Sequence, residues 1–324
     1  MDIGFVFGGL FLAWAFGRNN ISNVFGAAVW TRMVTMPVAT GIAILFVLLG
    51  CFWGSAGTSS NMSLLGQPDT LAQAFIVTLS AGIILFSMTS WGIPISIAQA
   101  MVGAVIGLSL SQKSSAHFDI LKKTLFAWGI SPFLGASVAF IVFKLMRLWL
   151  KHHPMKLLYK DIFTRVGLIS VGAFSAYALG ANNVSTISTP FVGASDWHPQ
   201  WINLIICISV GIGFISADKK VMRTMGSGLF PLSPMEALIV VFSGALTLFL
   251  FSWGGLKNLL TYYDLPSFPL VPVPITIATI GAIIGVSFAK GGYGLKWTMM
   301  GRILISWILT PVLSCLLCWG LMSI

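Results

Sequence analysis

Carboxylates are scarce in this chain. There are eight Asp and Glu in 324 residues, and charged residues of both signs make up only 8%, where a soluble chain carries roughly 25%. Asp2, Asp69, Asp119, Asp161, Asp196, Asp218 and Asp264 fall in polar stretches or at the ends of apolar runs, and only Glu236 lies inside one. The histidines, His117, His152, His153 and His198, are also outside the apolar runs. An intramembrane aspartyl enzyme, a zinc hydrolase or a Ser-His-Asp hydrolase therefore lacks its parts, and the chain reads as a non-enzyme. The four cysteines, Cys51, Cys207, Cys315 and Cys318, all sit in apolar sequence. Cys315 and Cys318 share a helix face, but with no His or carboxylate nearby they make a poor metal site. Buried, inert thiols are expected, with no metal and no cofactor. A basic leader with a cleavage site is missing, as is a nucleotide-binding loop. The second absence argues against direct ATP drive.

What is present is apolar sequence: 57% of residues are hydrophobic, in several runs of about 18 or more. The fold expected is an all-α polytopic membrane protein in the cytoplasmic membrane. Apolar segments fall at about 3–34 (interrupted at Gly17–Asn23), 37–53, 71–91, 92–110, 124–150, 162–192, 201–216, 233–253, 273–289 and 303–321, which gives ten spans. A polar loop, Gly54–Thr70, lacks Lys and Arg, and a basic centre, Lys151–Lys160, divides the chain. The division expected is a first repeat over 1–150, a basic cytoplasmic linker over 151–161, and a second repeat over 162–324. The net charge of +10 does not point to nucleic acid, because the basic residues lie between apolar segments and set topology. With the 151–160 loop inside, thirteen Lys and Arg fall on the cytoplasmic side and four outside, and Arg18 is left in the membrane.

One stretch occurs twice. Ala13-Trp14-Ala15-Phe16-Gly17-Arg18-Asn19-Asn20-Ile21-Ser22-Asn23 matches Ala176-Tyr177-Ala178-Leu179-Gly180-Ala181-Asn182-Asn183-Val184-Ser185-Thr186 at both Asn, the Gly and the Ser. Two further landmarks repeat in the same order. Pro94-Ile95-Ser96-Ile97-Ala98-Gln99 answers Pro274-Ile275-Thr276-Ile277-Ala278-Thr279, and Trp128-x-x-Ser131-Pro132 answers Trp307-x-x-Thr310-Pro311. The offset grows from 163 residues (Gly17 to Gly180) to 180 (Pro94 to Pro274), and the 17 extra residues fall in Gly254–Leu270. Five spans per half is odd, so the halves must be inverted relative to each other. Paired amides in lipid are costly unless used. In inverted repeats, broken or re-entrant helices meet at a central substrate site.

The chemistry offered there suits a tetrahedral oxyanion. Half-helix N-termini supply N–H groups and a positive dipole end, and amides and hydroxyls supply further donors. The expected binding residues are Asn19, Asn20, Ser22, Ser96 and Gln99 from the first half and Asn182, Asn183, Ser185, Thr276 and Thr279 from the second. Capping alone also accounts for Ser96 and Thr276. Arg18 either snorkels to the interface or faces the anion as a fixed cation. Glu236 is the candidate for coupling to protons.

At these residues the chain resembles the inorganic phosphate transporter family. Its G-A-N-D-V-A-N motif falls on Gly17–Asn23 and Gly180–Thr186, and its G-[LI]-P-[VI]-S-T-T-H segment falls on Gly92–Gln99 and Val273–Thr279, each leading into Gly-Ala-x-Ile-Gly. The resemblance covers nearly the whole chain. Both family Asp positions are Asn here (Asn20, Asn183), and both His positions are changed (Gln99, Thr279). The resemblance ties those Asp residues to sodium and phosphate, so it implies weak sodium coupling here. The Asn-Asn form and Phe288–Gly292 look more like the family's sulfate permease branch.

Sulfate is the substrate expected, because a fully ionised anion suits a site offering donors only. Phosphate is the alternative transport reading, and a membrane structural protein without transport is the third. The partners expected are the oxyanion, a co-transported H+ or Na+, the lipid bilayer and a second copy in a homodimer.

Overall fold

The computed structural model describes residues 3–54, 66–112 and 118–324. Asp2, Lys113, His117 and most of the expected Gly54–Thr70 loop lie outside them. Among the described residues there is no strand. The helices are α1 (Ile3–Ile21), α2 (Ala27–Trp30), α3 (Met36–Gly54), α4 (Leu71–Ser90), α5 (Ile97–Ser111), α6 (Phe118–His152), α7 (Leu157–Leu179), α8 (Ser185–Val192), α9 (Pro199–Ile215), α10 (Lys219–Arg223), α11 (Pro234–Leu250), α12 (Gly254–Tyr262), α13 (Ile275–Ala289) and α14 (Trp297–Met322). Five helical stretches are long and apolar enough to cross a bilayer, and the count is seven if each of two sharply bent helix pairs is one span.

Helix starts follow from local side-chain chemistry. Thr70 accepts from Gln73 N ahead of α4, and Asp218 accepts from Lys220 N and Val221 N ahead of α10. Ser233 and Glu236 form a capping box around Pro234 at the start of α11. The expected basic linker is mostly helical, because α6 runs on through His152 and α7 begins at Leu157.

The duplication is visible in the packing. A Cβ on Gly17 of α1 would meet the Val210 carbonyl of α9, and one on Gly180 would meet the Val47 carbonyl of α3. The reverse contacts repeat the pairing, with Gly213 against Trp14 O and Gly50 against Tyr177 O. The same offset relates every member of these two sets. Each half thus lends its first helix to the second long helix of the other. Later helices are exchanged the same way. Gly103 of α5 backs onto Pro311 O of α14, and Gly281 of α13 backs onto Pro132 O of α6.

α5 and α13 have 15 residues each, about 22 Å of helix against a hydrocarbon core of about 30 Å. Extended chain precedes each of them. Gly92 O accepts from Thr224 Oγ1 at one face, while Gln112, after α5, reaches Asp69 and Gln73 at the other. Lys290, after α13, returns to Glu236 at the start of α11. Neither helix has the length of a span, so the ten expected spans are not all met: among the described residues five helical stretches, or seven with the bent pairs, have the length and composition to cross.

Two expectations on backbone geometry need correction. The chain does not break at Gly17–Asn23. α1 is helical through Asn20, and a π-helical turn follows over Ser22–Gly26. In the second half the π turn is Gly180–Val184, on the Asn pair itself. A π turn absorbs one extra residue while keeping the helix hydrogen-bonded, so the amides sit in continuous helix and not at half-helix N-termini. The second correction concerns register. The N-cap of α5 is Ser96 and that of α13 is Pro274, so the packing pairs Ser96 with Pro274. The insertion near α12 is therefore two residues shorter than the proline match implies.

Candidate functional site

The ten motif residues are all buried, each at 4% exposure or less. The Asn19, Asn20 and Thr276 side chains meet in one hydrogen-bonded chain that crosses between the halves. Asn20 Nδ2 donates to Phe16 O at 3.1 Å, and Asn20 Oδ1 accepts from Asn23 Nδ2 at 2.8 Å. Asn23 Nδ2 also donates to Thr276 Oγ1 of α13 at 3.1 Å. Thr276 Oγ1 donates to Ile95 O at 3.2 Å, and Asn19 Nδ2 donates to the same carbonyl at 2.8 Å. The residue before the α5 cap and the first turn of α13 are thus tied together. Both helices start inside the protein, and both N-terminal ends carry a positive dipole.

Asn182 performs in the second half the task Asn19 performs in the first. Its Nδ2 donates to Ser252 Oγ at 2.9 Å, and its Oδ1 accepts from Val273 N at 3.0 Å, just ahead of α13. Thr89, at the position matching Ser252, donates to Asn19 Oδ1 at 3.4 Å. These bonds pin both extended approaches to the helices carrying the Asn pairs. Asn183 differs, because its buried Nδ2 has no partner.

Ser96 accepts from Gln99 N at 3.4 Å, as a cap does. Ser22 donates to Asn19 O. Ser185 lies buried in the first turn of α8, where its carbonyl accepts from Ser188 and Thr189. Thr279 packs against Gly244 of α11. Gln99 Nε2 donates to Trp307 O at 3.3 Å, leaving Oε1 without a partner. The cause lies four residues on. Pro311 has no N–H, so it frees the Trp307 carbonyl that a helical residue would occupy. In the first half Ser131 Oγ donates to Trp128 O, the carbonyl that Pro132 frees. The repeated Trp-x-x-hydroxyl-Pro match therefore marks a freed carbonyl in each half.

The two charged candidates sit apart from this chain. Arg18 is ion-paired. Its guanidinium donates to Asp218 at 2.8 Å and lies over the rings of Trp14 and Phe86 at 5.6 and 5.2 Å. Glu236 caps α11 through Ser233 N and pairs with Lys290 Nζ at 2.9 Å. Among the described residues no group of three His, Cys, Asp or Glu could hold a metal. A cavity lined by Val6, Phe191, Ser195, Asp196, Trp197 and Ile206 opens beside α1, α8 and α9, away from the amide chain.

Residue reasoning missed Asn23, which bridges the halves. Its signal was present, as the last amide of the first motif. The sequence places Asp218 only at the end of an apolar run, and nothing in its neighbours announces Arg18.

The family model described as the phosphate transporter family matches residues 16–318. A "probable low-affinity inorganic phosphate transporter" of Rhizobium meliloti (strain 1021) is 24% identical, aligned over 95% of this chain and 91% of its own. The sulfate permease CysP of Bacillus subtilis (strain 168) is also 24% identical, over 100% of this chain and 88% of its own. A solved structure described as "The sodium-dependent phosphate transporter" superposes with a TM-score of 0.76 over 99% of both chains at 20% identity, a likeness of fold.

Proposed function

The chain belongs to the phosphate transporter family, and from that premise we propose that it carries inorganic phosphate, bound between the N-terminal ends of α5 and α13. That it is an integral, multi-pass membrane protein with the family and fold of transporters is shown. The substrate and the site are our reading. The observation that carries it is the hydrogen-bonded chain from Asn20 through Asn23 and Thr276 to Ile95 O, which brings two buried helix starts from opposite halves to one place. Helix N-termini with neutral donors suit an oxyanion. The halves, 1–150 and 162–324 about the 151–161 linker, would move against each other around it.

The name of the Rhizobium relative and the family description support phosphate over the sulfate expected from donor counting. Sulfate stays as a second reading on one specific observation. Both family Asp positions are amides, Asn20 and Asn183, and a relative of the same span is named a sulfate permease. The family Asp is also what the resemblance tied to sodium. We therefore read the coupling as independent of sodium, although the structural neighbour is described as sodium-dependent.

The deciding experiment is uptake of labelled phosphate and labelled sulfate into proteoliposomes, each with the other as competitor. Phosphate uptake that resists equal sulfate supports the reading. Sulfate uptake that resists equal phosphate overturns it.

A further inference from the structure

Asn23 does more than bridge the halves. Backbone carbonyls lie at both ends of its hydrogen-bonded chain, and a carbonyl can only accept. Phe16 O therefore requires Asn20 to present Nδ2 to it and Oδ1 to Asn23. Asn23 must in turn present Nδ2 to Asn20. Its second N–H goes to Thr276 Oγ1, whose own hydrogen is committed to Ile95 O. Both donors of Asn23 are spent. Its Oδ1 is left buried and without a partner, on a residue 2% exposed. Amide orientation is usually ambiguous, but here the network fixes it. A buried acceptor with no donor is costly until a ligand supplies one.

Resting on the phosphate reading above, we propose that Asn23 Oδ1 is the specificity determinant of the site, accepting the hydrogen of a P–OH group and so selecting a tetrahedral oxyanion that still carries a proton. Phosphate at neutral pH has that hydroxyl and sulfate does not. Sulfate would place a bare oxygen against the Asn23 oxygen and leave both unpaired. Sites built to pair with a substrate hydroxyl reject the analogue without it by large factors. Nearby donors do not reverse this, because an extra donor serves both anions alike.

The test compares ligands first. Monofluorophosphate carries fluorine where phosphate carries its hydroxyl, so it cannot donate. Wild-type protein, reconstituted and assayed by inhibition of labelled phosphate uptake at pH 7, should bind monofluorophosphate at least about tenfold more weakly than phosphate. In Asn23→Ala the two should differ by less than about threefold, with sulfate inhibition unchanged or improved. Equal affinity for both in wild type overturns the proposal, and that arm needs no variant to fold. A variant that loses both ligands in parallel also overturns it, since a merely structural Asn23 would act that way. Wild type that ignores phosphate and carries sulfate refutes the phosphate reading itself, and this proposal with it.

Discussion

Arg18 and Asp218 are joined twice, side chain to side chain at 2.8 Å and main chain to main chain at 3.2 Å, from Asp218 N to Arg18 O. The pair clamps α1 to the chain between α9 and α10. Asp218 is the more buried partner, with a side chain 6% exposed against 24% for Arg18. Removing the arginine therefore strands a carboxylate that keeps only its two capping N–H bonds.

Arg18→Gln is expected to cost about 2 kcal/mol of stability, between the figures for exposed and fully buried pairs. Asp218→Asn should cost a similar amount, and the double variant should cost less than the sum. Thermal unfolding in detergent measures all three. Transport should fall with the folded fraction, at unchanged apparent affinity. A raised half-saturation constant in Arg18→Gln would show that the guanidinium serves the anion.

Gly17→Ala and Gly180→Ala should damage the protein equally. Each added methyl runs into a carbonyl of the opposite half, Val210 O or Val47 O, and backbone gives way poorly. Overpacking of this type costs about 1–3 kcal/mol. Gly41 in α3 and Gly129 in α6 have nothing within 4 Å of an added Cβ. Alanine there should be neutral or stabilising by up to about 1 kcal/mol. Melting temperatures of the four variants settle it, and unequal effects at Gly17 and Gly180 would break the proposed equivalence of the halves.

Asn182 and Asn183 are neighbours with opposite expected phenotypes. Asn182→Ala removes bonds to Ser252 and Val273 that hold the approach to α13, so it should lower stability by about 1–3 kcal/mol. Asn183 Nδ2 bonds nothing within the protein. Asn183→Ala should leave the melting temperature almost unmoved and weaken anion affinity by about 1.5–3 kcal/mol, as for a hydrogen bond to a charged group. Unfolding and uptake kinetics on both variants separate the two roles.

These neighbours also show how far the sequence could be read. The duplicated amides and the order of the apolar segments were legible, because motif spacing survives folding. Which amide is structural and which is free was not, because that depends on Ser252 and Val273, about seventy and ninety residues away. Gln99 was expected as a donor. Pro311 frees the Trp307 carbonyl that captures its Nε2, a contact across 208 residues. The π turns escaped notice because no residue type demands one.

Glu236→Gln tests the proton-coupling candidate. The carboxylate is held by Ser233 N and Lys290 Nζ at the start of α11, and glutamine can keep the cap while losing the ion pair. With Lys290 39% exposed, that loss should cost no more than about 1 kcal/mol. Phosphate uptake in the variant should keep the wild-type dependence on an imposed pH gradient. Uptake that no longer responds to the gradient would make Glu236 the relay.

Sodium dependence should be weak, and the reason is in the amides. Hard cations favour charged oxygen ligands, and the two positions where the family carries Asp are Asn20 and Asn183. Asn20 Oδ1 is uncharged and already accepts from Asn23 Nδ2, so it offers a cation one remaining lone pair and no negative charge. Replacing sodium by choline should change initial uptake by less than about twofold. Asn20→Asp with Asn183→Asp puts carboxylates at two buried positions. That double variant should gain a sodium requirement, because two buried negative charges need a counter-ion before they can share the site with an anion. Wild-type uptake that stops in choline would show that neutral oxygens suffice to hold the coupling cation.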